Sequence, residues 1–478
     1  MQGGNLRTAA RPPFGGRILV ALALVGVVVA GATTPAPRAR ATSATTTSQP
    51  NIVFILTDDQ RVGTLPAMPN VERDLVQHGI VFRNAFVTNS ECCPSRTSIL
   101  TGRYSHSTDI WRNFPPDGGF QTFTQLGEDQ STIATWLQSA GYTTALIGKY
   151  LNGYNTDLGY VPPGWNKWFA IEAQLYYGYD ISNQGHVIHY GNAPQAYSTN
   201  VLGSQAVSFI RNTQGPLFLY FAPVAPHSPA IPASRDKNTF GNLQPFRPPN
   251  YAEKDVSDKP PYIRAMHWTT GLRNSTDAFR RHQYQSLQAV DRWVNAIVQA
   301  LAQTGRLSNT AIFFMSDNGI LWGEHRWAWK TVPYEGSIRV PLILRYDPLH
   351  LSGADTHMVL NVDIAPTIAD LAGIPPQPVD GLDMIPLITG QSSTWRTEFP
   401  LEHLQESPAG QGNAPTFCGV RTETYVYVRY IGGFEEVYDL TKDPFELTNI
   451  ASRDPDLTAM LRARAQALCN PPPPGYSW

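Results

Sequence analysis

A chain of 478 residues with 42% hydrophobic content can bury a large core, as one big α/β domain with a smaller companion or as two to three ordinary domains. Its formal net charge of -2 and its 15% of charged residues argue against a nucleic-acid binder and against a polyanionic tail. Partners must therefore be argued from a site.

At the N-terminus, Arg7, Arg11 and Arg17 precede an uncharged apolar run from Ile18 to Ala32 that closes on Ala30-Gly31-Ala32. Basic segment, short apolar core and small residues read as a secretory signal over residues 1–32. The alternative is a membrane anchor, although the run is shorter than the roughly 20 residues that cross a bilayer comfortably. Residues 33–50 are Ala, Thr, Ser, Pro and Arg with little to bury, which predicts a disordered linker and a fold that starts near Asn51.

Asn51 to Leu56 is a continuous apolar run followed by Thr57, Asp58, Asp59 and Gln60. Such a run suits a strand covered on both faces of a parallel sheet, and acidic residues at its C-terminal end occupy the usual place of chemistry in open α/β folds. The pattern recurs. Ala311 to Met315 leads into Ser316, Asp317, Asn318 and Gly319, and Pro216 to Phe221 leads toward Pro226, His227, Ser228 and Pro229. Between them, Ile133, Trp136, Leu137 and Ala140 share a helical face before Gly141, and Ala145-Leu146-Ile147 reads as the next strand. The tyrosine-rich stretch from Gln174 to Asn200 has no period and reads as loop or small hairpins.

Tyr284, Leu287, Val290, Val294 and Val298 make a long helical stripe, Pro341 to Leu344 a short strand, and Asp363 to Leu371 a helix. Helix alternating with strand predicts a doubly covered sheet over residues 51–395. After Phe399 the character changes: Glu423 to Tyr430 alternates as a half-exposed antiparallel strand that Glu436 to Leu440 can pair, and Leu457 to Leu468 looks helical. Residues 396–478 are thus expected to form a small α+β domain. In an exported chain Cys418 and Cys469 are placed to pair, tying its first strand to its last helix.

Asp58, Asp59, Asp317 and Asn318 sit as two pairs at the ends of two strands, so a sheet can join them across about 260 residues. Carboxylate and amide oxygens without histidine favour Ca2+ or Mg2+ over Zn2+. Arg96, Lys149, Lys330 and His227 define a positive pocket suited to a tetrahedral oxyanion. Pro94 can start a helix that Gly102 ends, placing Cys92 at its N-terminus, where free backbone N–H groups favour an anion or a thiolate.

The run Cys92-Cys93-Pro94-Ser95-Arg96, with Leu100-Thr101-Gly102-Arg103 after it, resembles the signature of the type I sulfatases of the alkaline phosphatase-like superfamily. The likeness extends from Asn51 to about Thr448. It includes Thr57-Asp58-Asp59, Gly148-Lys149-Tyr150, Pro226-His227-Ser228-Pro229, Ser316-Asp317-Asn318-Gly319, Gly323-Glu324-His325 through Lys330, and Tyr438-Asp439-Leu440. The resemblance implies a large, mainly parallel mixed sheet covered by helices, with a smaller antiparallel sheet behind it. It implies that a formylglycine-generating enzyme oxidises Cys92 to formylglycine. The hydrate, beside Ca2+ held by Asp58, Asp59, Asp317 and Asn318, attacks sulfur, and His227 is the proton donor to the leaving alcohol. Lys330 contacts sulfate and leaving group, while Arg96 and Lys149 steady negative charge. A second hydroxyl then lets sulfate depart, an exit that serine lacks.

Many relatives have histidine near the place of Asn152, which cannot serve as the base of that second step. The Cys92-Cys93 pair and Lys149-Tyr150-Leu151-Asn152 look like the N-acetylglucosamine-6-sulfatase branch, which implies a sulfated carbohydrate or aryl sulfate as substrate and no stable protein partner. His325, Trp322 and Trp327 are further substrate-side candidates, the aromatic rings as platforms for a sugar or aryl ring. Two other readings remain open on the residues alone: a phosphonate monoester or phosphodiester hydrolase using the same pocket, and a non-catalytic carbohydrate-binding protein of the envelope.

Overall fold

The structure, a computed structural model, describes residues 49–478 apart from 172, 376, 393 and 407–413. The expected signal or anchor, and the linker as far as residue 48, lie outside the described residues. Gln49 and Pro50 belong to the fold rather than to a linker: Pro50 is buried and the Gln49 carbonyl accepts from the Asn309 side chain at 3.3 Å.

Strands β1 (Asn51–Thr57), β2 (Ile80–Phe86), β3 (Thr143–Lys149), β4 (Lys167–Ile171), β5 (Tyr179–Asn183), β6 (His186–Tyr190), β7 (Leu217–Ala222), β8 (Thr310–Ser316), β9 (Leu342–Arg345) and β10 (Ala354–Leu360) form one sheet. Their order is β10-β2-β9-β8-β1-β7-β3-β4-β5-β6, and only β5 and β9 run against the others. The continuous apolar run of β1 has its explanation here. Ile52, Phe54 and Leu56 enter the core on one face and Val53 and Ile55 the core on the other, all fully buried. Each such side chain contributes about 1.5–3 kcal/mol by leaving water, so neither face tolerates a polar residue.

Helix Thr270–Gln303 covers one face through Leu287, Val290, Val294, Ile297 and Leu301, beside helix Ser198–Asn212. Helices Cys92–Thr101, Ile133–Ser139 and Ile364–Leu371 cover the other. The stretch read as loop or hairpins holds the β5–β6 hairpin and the start of helix Ser198–Asn212, which the tyrosines mask because they pack its N-terminal end.

A second sheet, antiparallel, is made of β11 (Glu398–His403), β12 (Phe417–Thr422), β13 (Tyr425–Tyr430) and β14 (Glu435–Asp439) in that order. Phe399, Leu401, Phe417 and Val428 pack it against Phe86, Met358 and Leu360 of the first sheet. Helix Pro455–Leu468 covers its other side through Leu461 and Ala465. Cys418 and Cys469 form a disulfide, but Cys418 lies on β12, the second strand of this sheet, because β11 precedes it.

Candidate active site

Four neighbouring parallel strands, β8, β1, β7 and β3, bring the site together. Register pairs Thr57 with Ser316 and Gly148 with Ala222, so the segments leaving these strands emerge side by side. The Asp317 amide donates to the Thr57 carbonyl at 3.1 Å, the Asp59 amide to Asp317 Oδ1 at 3.1 Å, and the Gln60 amide to Ser316 Oγ at 2.8 Å. The two acidic pairs are thereby laced into one corner. Helix Cys92–Thr101 approaches from the other side, ended by Gly102 at φ 72°, and is buried along its whole length.

Asp58, Asp59, Asp317, Asn318, Cys92, Arg96 and Lys149 are all buried. Lys149 Nζ reaches Asp58 Oδ2 at 2.6 Å, and Arg96 Nε reaches Asp317 Oδ2 at 2.8 Å. Lys330 Nζ touches Asp59 Oδ1 at 2.5 Å and Cys92 Sγ at 2.7 Å, with Asn318 Oδ1 at 3.5 Å. Cys92 Sγ lies 3.5 Å from Asp58 Oδ1, and His227 Nε2 lies 3.7 Å from Asp59 Oδ2. One ligand atom from each of Asp58, Asp59, Cys92 and His227 lies within 4.8 Å of the others. The structure brings the expected cysteine, ligands and cations together in one buried cluster.

Three carboxylates face three cations here, and the charges set one another. Burial alone would raise Asp58, yet Lys149, His227, Arg96 and Lys330 hold it well below the usual carboxylate range. Asp317 goes the other way, pushed up to about 6 by burial and by the Asp58 charge. Burial disfavours the Lys330 charge, but Asp59, Cys92, Asp58 and Asp317 outweigh it and raise that ammonium above its ordinary value. Burial lowers His227 despite Asp58 and Asp59. Its Nδ1 pairs with the Ser228 carbonyl at 2.7 Å, so the neutral ring carries its proton there and turns Nε2 toward the acids.

Cys92 differs from expectation. Burial and Asp58 raise its thiol, so it is not a stabilised thiolate despite its place at a helix N-terminus. The adjacent Cys93 amide is also taken, donating to Asn113 Oδ1 at 2.9 Å. Positive charge at this position comes from lysine side chains rather than free helix amides.

Three substrate-side candidates are buried and partnered within the protein. His325 is fully buried, stacked on Tyr334 with Nδ1 on Glu253 Oε2 at 2.6 Å. Trp322 is buried with its Nε1 on Gln283 Oε1 at 2.6 Å, and Trp327 is buried with Nε1 on the Lys330 carbonyl at 3.1 Å. They hold the loop that carries Lys330. Asn152 gives its carbonyl to the Phe120 amide at 2.8 Å, and its side-chain oxygen is buried without a protein partner.

The structure adds a group that the sequence reading lacks. Glu91, directly before Cys92, lies 3.7 Å from His403 on β11, and burial together with Glu406 pushes its carboxyl well above the usual range. Glu406 Oε1 accepts from the Asn113 amide at 2.7 Å. The only sequence signal was the position of Glu91 beside the cysteine, since its partners follow some 300 residues later.

The sulfatase family model matches residues 50–374, and a model for the C-terminal part of N-sulphoglucosamine sulphohydrolase matches residues 323–469. The chain is 32% identical to the N-acetylglucosamine-6-sulfatase of goat, Capra hircus, over 88% of this chain and 83% of the relative. It is 33% identical to an extracellular sulfatase SULF-1 homolog of Drosophila melanogaster over 79% of this chain, but spans only 35% of that longer protein. Among solved structures, BT4656 in complex with its substrate D-glucosamine-2-N,6-O-disulfate superposes with a TM-score of 0.79 at 24% identity, covering 90% of this chain and all of that one.

Proposed function

The chain belongs to the sulfatase family and hydrolyses sulfate esters; from that premise we propose that its substrate is a sulfated sugar, cleaved to alcohol and inorganic sulfate in the cavity around Cys92. The observation that carries this reading is Lys330 Nζ, which touches both Cys92 Sγ and Asp59 Oδ1 and so joins the cysteine to the acidic corner. The sugar rests on relatives named N-acetylglucosamine-6-sulfatase, whose length this chain largely spans.

Asp58, Asp59, Asp317 and Asn318 fit a hard divalent cation, Ca2+ first and Mg2+ second, since three buried carboxylates meet a buried side-chain amide whose nitrogen donates to Asp59 Oδ1 at 2.6 Å. Such a cation, when bound, polarises the sulfate oxygens as a Lewis acid. The aldehyde hydrate typical of the family, made from Cys92 by a formylglycine-generating enzyme, supplies the attacking oxygen and a second hydroxyl through which sulfate leaves.

The other side chains do the positioning. Lys330 and Lys149 neutralise the charge that grows on the sulfate oxygens, and Arg96 fixes Asp317 and Asp58 in place. His227, held through Nδ1 on Ser228, gives a proton from Nε2 to the departing alcohol. That donation requires a protonated ring, so the step it serves slows as pH rises. Residues 51–395 carry the reaction, and residues 396–478 close one flank through His403 and Glu406. The protein acts after export, a location supported by a relative named as extracellular. Among the described residues no helix is long and apolar enough to cross a membrane.

The test is sulfate release from N-acetylglucosamine 6-sulfate, other defined sulfated sugars and 4-nitrophenyl sulfate, using protein whose formylglycine content has been measured by peptide mass. Turnover of at least one sulfated sugar in proportion to formylglycine content is the expected result. Sulfate release by protein with wholly unmodified Cys92, or faster turnover of 4-nitrophenyl phosphate than of the sulfate, overturns the reading.

A further inference from the structure

Within the loop that carries Lys330, three tryptophans have different fates. Trp322 and Trp327 are buried, but Trp329 leaves 47% of its surface exposed directly beside the lysine that touches Cys92. The exposure is built in rather than frayed. The Leu321 amide donates to the Trp329 carbonyl at 3.0 Å, and Trp327 Nε1 holds the carbonyl of Lys330 at 3.1 Å, so the backbone on both sides is pinned.

The Trp329 ring lines a groove of about 350 Å³ with Pro229, Leu272, Phe279 and Ala328. Ser228, Ser275, Thr276, Ala278 and His282 complete the lining, and no carboxylate, lysine or arginine is part of it. The groove therefore begins one residue after His227 on one side and one residue before Lys330 on the other. His227 Nε2 and Lys330 Nζ both lie against Asp59, at 3.7 and 2.5 Å, and the proposed reaction uses both of them on the leaving alcohol. With no lysine or arginine in its lining, the groove is poorly suited to a second sulfate. Its flat apolar wall with scattered hydroxyls matches a ring that has a C–H face and hydroxyl edges.

We propose that this groove receives the pyranose ring bearing the scissile sulfate, with Trp329 as the platform on which its C–H face stacks. The proposal rests on the reading that the substrate is a sulfated sugar, and adds the residues that recognise the sugar. Trp329 is a binding residue. Its removal raises KM for ring substrates more than it lowers kcat, because the contact exists before and during bond cleavage alike.

The experiment compares wild type, Trp329→Ala and Trp329→Phe at matched formylglycine content on N-acetylglucosamine 6-sulfate and on ethyl sulfate, which has no ring. Ile431→Ala, at the same 47% exposure but on a distant turn, is the control. The expected result is a loss of about tenfold in kcat/KM on the sugar for Trp329→Ala, mostly in KM, with Trp329→Phe recovering most of it. On ethyl sulfate the loss is much smaller, and Ile431→Ala shifts neither substrate relative to the other. An equal loss on both substrates, no loss on the sugar, or a Trp329→Phe variant as poor as Trp329→Ala overturns the proposal. Failure of the parent reading appears in the wild type itself, as absence of turnover on every sulfated sugar, and removes the sugar assignment of the groove with it.

Discussion

Burial and the Asp58 charge raise the Cys92 thiol against the opposing pull of Lys149 and Lys330, which makes it a poor nucleophile as a thiol. Two lysines and an arginine balance three carboxylates there, so removing any one partner leaves a buried charge uncompensated. The same logic applies to His403 on the far side of Glu91. Its Nε2 meets the Ala414 carbonyl at 3.2 Å, and burial lowers its pKa from 6.5 to about 4. Between those values the unfolded chain binds a proton that the native protein refuses, so stability falls as pH drops through that window, by up to about 3 kcal/mol. His403→Gln is expected to lose that acid sensitivity. Thermal melts at pH 7 and pH 5 would show a smaller fall in Tm than in wild type; an equal fall would refute the assignment of the sensitivity to His403.

The element that matters most is the shared edge of β8, β1, β7 and β3. Gly148, one residue before Lys149, shows how tightly it is built: at φ +132° its position would set a Cβ 2.0 Å from the Ala222 carbonyl of β7. Gly148→Ala therefore combines a forbidden backbone with a clash that no rotamer relieves, and is expected to cost roughly 4 kcal/mol or more. Soluble yield and the urea midpoint measure this, and a wild-type midpoint would contradict it. What sequence made legible follows from this edge. Buried parallel strands announce themselves as unbroken apolar runs, and the candidate residues stand where those runs stop, so the convergence of Asp58, Asp59, Asp317, Asn318 and Lys149 is legible by position. Loops have no such grammar. Trp327 and Trp329 are two residues apart in one loop, and composition says nothing about which turns inward. The burial of His325, Trp322 and Trp327 is illegible for that reason, and short strands such as β11 and β12 carry no period long enough to place His403 beside Glu91.

For the whole molecule, the acidic corner joins segments that the chain separates by 258 residues, and a bound cation would tie them. Stripping divalent metal with EDTA is expected to abolish sulfate release and lower Tm, with Ca2+ restoring both. A cation present at about 100 times its Kd adds about 2.7 kcal/mol to the native state. Full activity and an unchanged Tm after exhaustive chelation would exclude the metal role of this corner.

Burial of the cysteine has one more consequence, and it concerns time. With 1% of its surface accessible, Cys92 offers a macromolecular catalyst of the folded protein nothing to grip. A catalyst that must hold residues 92–96 as extended chain meets them in the folded protein as part of a helix buried along its whole length, so conversion is expected before that helix is packed. Supplying the oxidising machinery to protein already folded would come too late, whereas supplying it during synthesis, or to chain unfolded and then renatured, would not.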